Sequence, residues 1–309
     1  MNKLIELIKK SVFEDGKLYL IDKPNDNFGF FYQDQIIYFG KKSDESSNDI
    51  CSIDTLYLDL NANVYISNVT ENSSFEAGYY DLLSFKGNID DPNEEPYFDA
   101  FYNICLAFAN NPNMPFVEFF SSLVEIFKKS KEGVFKNIVG LIGELVLIKS
   151  VYLKKNIDIS NNWHLTGINS KFDFCFSNFN VEVKTTTKSE QKFLLKHNQL
   201  FNNQNNYVCV ISLIETGEGE SVKSLYNYFS NETKFSNNVK FQIALTKELM
   251  RVSDRKELNR SFAVDYIELY SVADMEEITY IPSCISNLSY EYDFSDTPKY
   301  QIEDIICEQ

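Results

Sequence analysis

The order of predicted elements makes this chain an α/β protein of the α+β kind. A β-rich N-terminal region, a mixed core and an α+β C-terminal extension are expected in that order. Three observations carry the expectation. Strand-like runs rich in aromatic and β-branched residues crowd the first 95 positions. A strongly apolar helix is predicted from about 134 to 155. After it come two or three strands, a helix and a buried strand, an arrangement in which sites form at strand ends and adjacent turns.

Taken in order, MNKLIELIKKSVFEDG reads as a short amphipathic helix rather than a signal peptide, because it has no continuous apolar run and no small-residue cleavage site. LYLID, FGFFYQ, QIIYFG and TLYLDLNANVYIS read as strands, punctuated by Asn, Asp, Gly and Ser. The acidic stretch NIDDPNEEP closes this region, so the first domain is set at residues 1–95. Helical spacing then covers about 97–131 and is interrupted at Pro112 and Pro115. The segment 188–201 is polar and reads as a helix, and YVCVISLI reads as a buried strand. The second domain is therefore a helical connector plus core at 96–215. The third, at 216–309, takes helices near 221–229 and 246–252 and the strands FAVDYIELYSV and LSYEYDF.

Composition narrows the function. No stretch approaches the ~18 uncharged apolar residues of a membrane span. Cys51, Cys105, Cys175, Cys209, Cys284 and Cys307 are scattered without a CxxC pair, which suits reduced thiols in a cytoplasmic protein better than disulfides or zinc. The two histidines, His164 and His197, are too few for a His-rich metal centre. The net charge of −16 hides a gradient: residues 128–199 hold twelve lysines against six acids, a balance of +6, leaving −22 for the rest. A basic middle is compatible with a phosphate-facing groove, and equally with lysines on solvated helix faces.

The chemistry-bearing stretch is KFDFCFSNFNVEVKTTT, residues 171–187. Period-two alternation sets Asp173, Glu182 and Lys184 on one face of a hairpin and its phenylalanines and valines on the other. With a turn at Asn178 and Phe179, Asp173 would oppose Lys184 and Cys175 would oppose Glu182. Two carboxylates and an ammonium within ~5–8 Å form a patch able to share a hard cation such as Mg²⁺. The acid-x-lysine pattern alone is weak: Asp15–Lys17, Glu190–Lys192, Glu232–Lys234 and Asp254–Lys256 also match it. Such matches are usually solvated faces or exposed ion pairs of ~0–1 kcal/mol. Only Glu182–Lys184 follows an aspartate on a strand expected to pair with it.

The helix before the hairpin adds to the case. In IVGLIGELVLIKS, Gly140, Gly143 and Glu144 share a stripe. Glycine inside a helix costs up to ~1 kcal/mol relative to alanine, which a close-packed neighbouring backbone would explain. Glu144 in such apolar surroundings calls for a metal or a lysine, or for escape to solvent at the helix edge. Lys192, Lys196, His197 and Gln199 follow the hairpin, as phosphate contacts or as an exposed helix face. Trp163 reads as core packing.

GLIGE, FDF, VEVKTT and HNQL, in that order, resemble the PD-(D/E)xK nuclease superfamily. The match looks closer to one branch, bacterial PD-(D/E)xK motif proteins found in restriction and anti-phage gene clusters. The resemblance extends over most of the chain, but its specific motifs lie within 140–200. It implies a restriction-endonuclease-like core of helix, mixed sheet, helix and strand. It makes Glu144, Asp173 and Glu182 the metal ligands, Lys184 the motif lysine and Gln199 the polar residue of the following helix. Phenylalanine rather than proline precedes Asp173.

The implied activity is Mg²⁺-dependent DNA endonuclease, with Mn²⁺ able to substitute, acting on double-stranded DNA in a restriction or phage-defence system. The resemblance also implies ATPase or helicase-like and methyltransferase partner subunits; the chain has no P-loop, so any ATP-driven step would fall to a partner. A homodimer would suit a double-strand cut. The alternative is a non-catalytic DNA-binding or assembly subunit on the same fold, and a more distant one is an acidic protein-interaction module.

Overall fold

The computed structural model describes residues 3–43, 52–54, 58–66, 77–88, 90–91, 95–127, 137–163, 171–189, 191–201, 205–252, 255–285 and 287–307. It divides into two compact units: residues 1–132 with 236–246, and residues 133–235 with 247–309. None of the helices among the described residues is long and apolar enough to cross a membrane.

The first unit opens with helix α1 (Lys3–Lys10), followed by strands β1 (Tyr19–Asn25), β2 (Phe28–Gln33), β3 (Ile36–Lys42), β4 (Ser52–Asp54), β5 (Leu58–Ile66) and β6 (Gly78–Phe85). These form one antiparallel sheet in the order β1-β2-β3-β6-β5-β4. Asp34 and Gln35 both take positive φ (49° and 68°), the twist that a tight two-residue hairpin between β2 and β3 demands. Helices α2 (Glu95–Asn110) and α3 (Phe116–Phe127) follow. Aromatic rings supply much of this core: Phe85 packs on Phe98, Phe101 and Phe127, and Phe108 stacks on Phe119 with centroids 4.1 Å apart. Such ring pairs add ~0.5–1.5 kcal/mol each beyond the area they bury.

The second unit carries the predicted helix, strands, helix and strand. Helix α4 (Ile138–Lys155) starts at Asn137, whose side chain accepts the Val139 N–H. It stops at Asn156, which adopts the left-handed conformation (φ 58°) and donates its N–H to the Tyr152 carbonyl. Its middle, from Leu141 to Ile148, is buried on all sides, as a helix apolar all round should be. Strands β7 (Phe174–Cys175), β8 (Asn180–Thr186) and β9 (Lys192–Lys196), the short helix α5 (His197–Leu200) and strand β10 (Asn206–Thr216) follow. Helices α6 (Val222–Asn231) and α7 (Thr233–Ser236), strands β11 (Ser261–Ser271) and β12 (Ser289–Asp293), and helix α9 (Ile302–Cys307) follow, while helix α8 (Val239–Met250) lies up to Thr246 in the first unit.

The main sheet of this unit runs β11-β10-β8-β7. Strand β8 pairs antiparallel with β7 and parallel with β10, so it lies inside the sheet. Strand β10 carries the buried run expected of an interior strand.

The segment 188–201, read as one helix, is instead strand β9 followed by a single helical turn. Lys192, Leu194 and Lys196 are exposed while Phe193 and Leu195 are buried, a period of two. The strand forms because β12, almost a hundred residues downstream, pairs with it; Ser289 lies opposite Lys196 and Asp293 opposite Lys192. Phe193 and Leu195 join Leu200, Val208, Val210, Tyr270 and Phe294 in one apolar cluster that anchors this small sheet to β10 and β11.

Candidate active site

The hairpin is present, with its register shifted by two residues from the sequence expectation. Phe174 pairs with Val181 and Cys175 with Asn180, and the Phe176 N–H donates to the Phe179 carbonyl at 2.9 Å. The turn is therefore Ser177 and Asn178, one position earlier than predicted. Continuing this register sets Asp173 against Glu182 rather than Lys184. Because the slip is even, every side chain keeps its face.

Asp173 Oδ2 accepts the Val183 backbone N–H at 2.8 Å, which fixes its carboxylate across the hairpin. Glu182, only 9% exposed, takes the Lys184 ammonium on Oε1 at 2.7 Å. Gln199 donates to Glu182 Oε2 at 2.5 Å and to the Lys171 carbonyl. A polar chain thus runs from the start of the hairpin through Gln199 and Glu182 to Lys184. The bond to Glu182 ties α5 to β8.

Glu144 is held separately on α4. It is 5% exposed, so it does not escape to solvent, and its Oε2 accepts the indole N–H of Trp163 at 2.8 Å. Trp163, itself 3% exposed, forms a bridge with Phe174, and its neighbour Asn162 donates to the Cys175 carbonyl at 2.8 Å. One turn, Ser160–Asn162 with Trp163 after it, therefore ties the helix carboxylate to the hairpin that bears Asp173. Trp163 is more than packing. The signal in the sequence was its indole donor, which a buried tryptophan usually satisfies, together with a carboxylate in need of one.

The two glycines of α4 part company. A Cβ on Gly143 would overlap the Thr185 hydroxyl and come within 2.9 Å of its methyl, whereas one on Gly140 would meet nothing within 4 Å. The close approach of α4 to β8 thus explains Gly143 through a side chain, and leaves Gly140 unexplained.

The remaining lysine motifs separate as well. Lys17 pairs with Glu14 at 2.5 Å rather than with Asp15. Glu232 accepts from the Tyr152 hydroxyl at 3.3 Å. Lys192 lies 3.7 Å from Asp293. Glu190, Asp254 and His164 fall outside the described residues. His197 is neither on an exposed face nor offered to phosphate: it is 6% exposed, stacked on Phe201, with Nδ1 3.5 Å from the Tyr290 hydroxyl.

Among the described residues, no three His, Cys, Asp or Glu side chains gather at metal-holding distance. The donor chemistry of the hairpin nevertheless suits a hard divalent cation: Asp173 and Glu182 face each other in the continued register, and Mg²⁺ commonly takes only one or two carboxylates and keeps waters. Glu182 would have to exchange its contact with Lys184 or Gln199 to serve.

An α+β fold with helix, antiparallel hairpin, short helix and parallel strand, and with an acid-x-lysine on the inner strand opposite an aspartate, defines the class as restriction-endonuclease-like. The family model DUF4420, described as "Putative PD-(D/E)XK family member", matches residues 41–295. The chain belongs to this family. No curated protein and no solved structure matches it.

Proposed function

We propose that this protein is a metal-dependent DNA endonuclease, Mg²⁺ being the natural ion and Mn²⁺ a substitute, serving restriction or anti-phage defence. The observation that carries the reading is the hairpin set: Asp173 oriented by the Val183 N–H, with Glu182 held between Lys184 and Gln199. A structural ion pair would explain Glu182 and Lys184, but not an aspartate and a glutamine converging on the same short stretch of β8.

Asp173 and Glu182 would hold the cation, and Glu144 would support the site from α4. When bound, the ion supplies polarisation of a phosphodiester oxygen and a water of lowered pKa. Lys184 offers three N–H donors; it orients the attacking water and neutralises charge on the phosphate. Gln199 keeps Glu182 aimed. Water attacks phosphorus in line, its oxygen forming the new P–O bond as the bond to the leaving oxygen breaks; the attacking water releases one proton to solvent and the leaving oxygen takes one up from it.

The test is cleavage of unmethylated plasmid and phage DNA in Mg²⁺ or Mn²⁺, with Asp173→Asn and Lys184→Ala beside the wild type. Asparagine keeps an acceptor for the Val183 N–H, so fold and charge are separated. Both variants should lose at least ~10²-fold in rate, the usual cost of removing one electrostatic catalytic group, and should still melt cooperatively. Equal cleavage by all three proteins would reject this site.

The engagement of Glu182 by both Lys184 and Gln199 also favours a second reading, a non-catalytic DNA-binding or assembly subunit. Titration calorimetry with Mn²⁺ separates the two: heat that disappears in Asp173→Asn supports the nuclease, and absence of binding supports the subunit.

A further inference from the structure

Beside Gln199 the surface opens into a pocket of about 650 Å³, bounded by Lys171, Lys196, Asn198 and, from β12 and the residues before it, Asn287 and Ser289. The pocket begins where the polar chain of the site ends, because Gln199 lines it and bonds both Glu182 and the Lys171 carbonyl. Its rim is fixed by backbone: Ser289 is the register partner of Lys196, and the His197 N–H donates to the Leu288 carbonyl at 2.9 Å. The described residues that line it include two lysines, neutral amides and a hydroxyl, and no carboxylate, in a chain whose net charge is −16.

Lys192 offers the contrast. It projects from the same exposed face of β9 as Lys196, yet lies against Asp293, whereas among the described residues neither Lys171 nor Lys196 has an ion-pair partner. Two exposed ammonium groups among hydrogen-bond donors make a site for an extended anion rather than for an apolar ligand. A DNA strand carries one charge per ~3.4 Å of its axis, so a strand with one phosphate at the hairpin brings its next phosphates past Gln199.

We propose that this pocket is a phosphate-binding subsite that holds the DNA backbone next to the scissile bond, with Lys171 and Lys196 as its cations. The inference rests on the nuclease reading and deepens it. Alanine at Lys171 leaves the carbonyl that positions Gln199 in place, so strand binding can be weakened without disturbing Glu182.

The experiment is fluorescence anisotropy of a labelled mixed-sequence duplex, with full-length protein in chelator and again in Ca²⁺, between 50 and 200 mM salt as the range in which such contacts are diagnostic. The double variant Lys171→Ala with Lys196→Ala should raise Kd roughly tenfold, whatever the sequence, and flatten the plot of log K against log salt by about 1–2. Its Tm should match the wild type, and Lys192→Ala should bind as the wild type does. Wild-type affinity and slope in the double variant would overturn the subsite while leaving the nuclease reading intact. An equal loss in Lys192→Ala would also overturn it, because a diffuse basic face would then account for the effect. No binding of DNA by the wild type in either condition would remove the nuclease reading and this inference together.

Discussion

Glu144 and Trp163 show how a single residue pair can be misjudged from letters. A buried carboxylate without a donor costs several kcal/mol, and a lysine or a metal is the obvious remedy to look for. The structure supplies an indole N–H, at 2.8 Å, from a residue nineteen positions away. The pairing was not legible because nothing in a helix pattern indicates which distant loop will close over it. One consequence is a reversal of sign: Glu144→Ala, which would stabilise a poorly partnered site, should destabilise this one. Trp163→Phe should cost about 1–3 kcal/mol, the desolvation cost of a buried group deprived of its partner. In a double-mutant cycle with Glu144→Gln, followed by denaturant unfolding at neutral pH, the coupling should lie between about 0.5 and 3 kcal/mol. Additive effects would mean that the contact contributes nothing of its own.

At the scale of elements, α4 and β10 were readable because long apolar runs leave one answer, β8 was readable from its alternation, and the face of the hairpin survived an error in its turn because the slip was even. Two of the elements missed show why. Strand β9 draws its identity from β12, which a local window cannot see. Strand β6, between β3 and β5, has the sequence GYYDLLSF, without a single β-branched residue to announce it. The packing of α4 on β8 yields a paired prediction. Gly143→Ala should destabilise by about 1–3 kcal/mol, as overpacking does, because Thr185 occupies the space. Gly140→Ala, facing open space, should stabilise by up to about 1 kcal/mol through helix propensity. Urea midpoints would show the two shifts, and shifts of the same sign would remove the packing argument.

At the scale of the whole molecule, the described residues offer one acid-x-lysine hairpin with one facing pair of carboxylates, so under the proposed nuclease reading one chain would attack one strand at a time. Dilute protein should therefore convert supercoiled plasmid to the open circle first. Linear product should rise more steeply than in proportion to protein concentration, because two copies must then meet on one duplex. Gel analysis over a concentration series would test this; direct linearisation at the lowest concentration would require a standing dimer. The acidic total and basic middle were visible in composition, but not which lysines matter. Lys192 and Lys196 look alike in sequence and differ only because β12 brings Asp293 to one of them and Ser289 to the other.

The bond from Val183 to Asp173 has a spectroscopic consequence. On a strand flanked by neighbours on both sides, this amide gives its proton to a side-chain carboxylate rather than to a backbone carbonyl. Its ¹⁵N–¹H resonance is then a built-in reporter of whatever Asp173 holds. Protonation of that carboxylate, or capture of a divalent ion by it, would move this one cross-peak while the amides of β10 stay still, so occupancy of the site could be followed without any substrate.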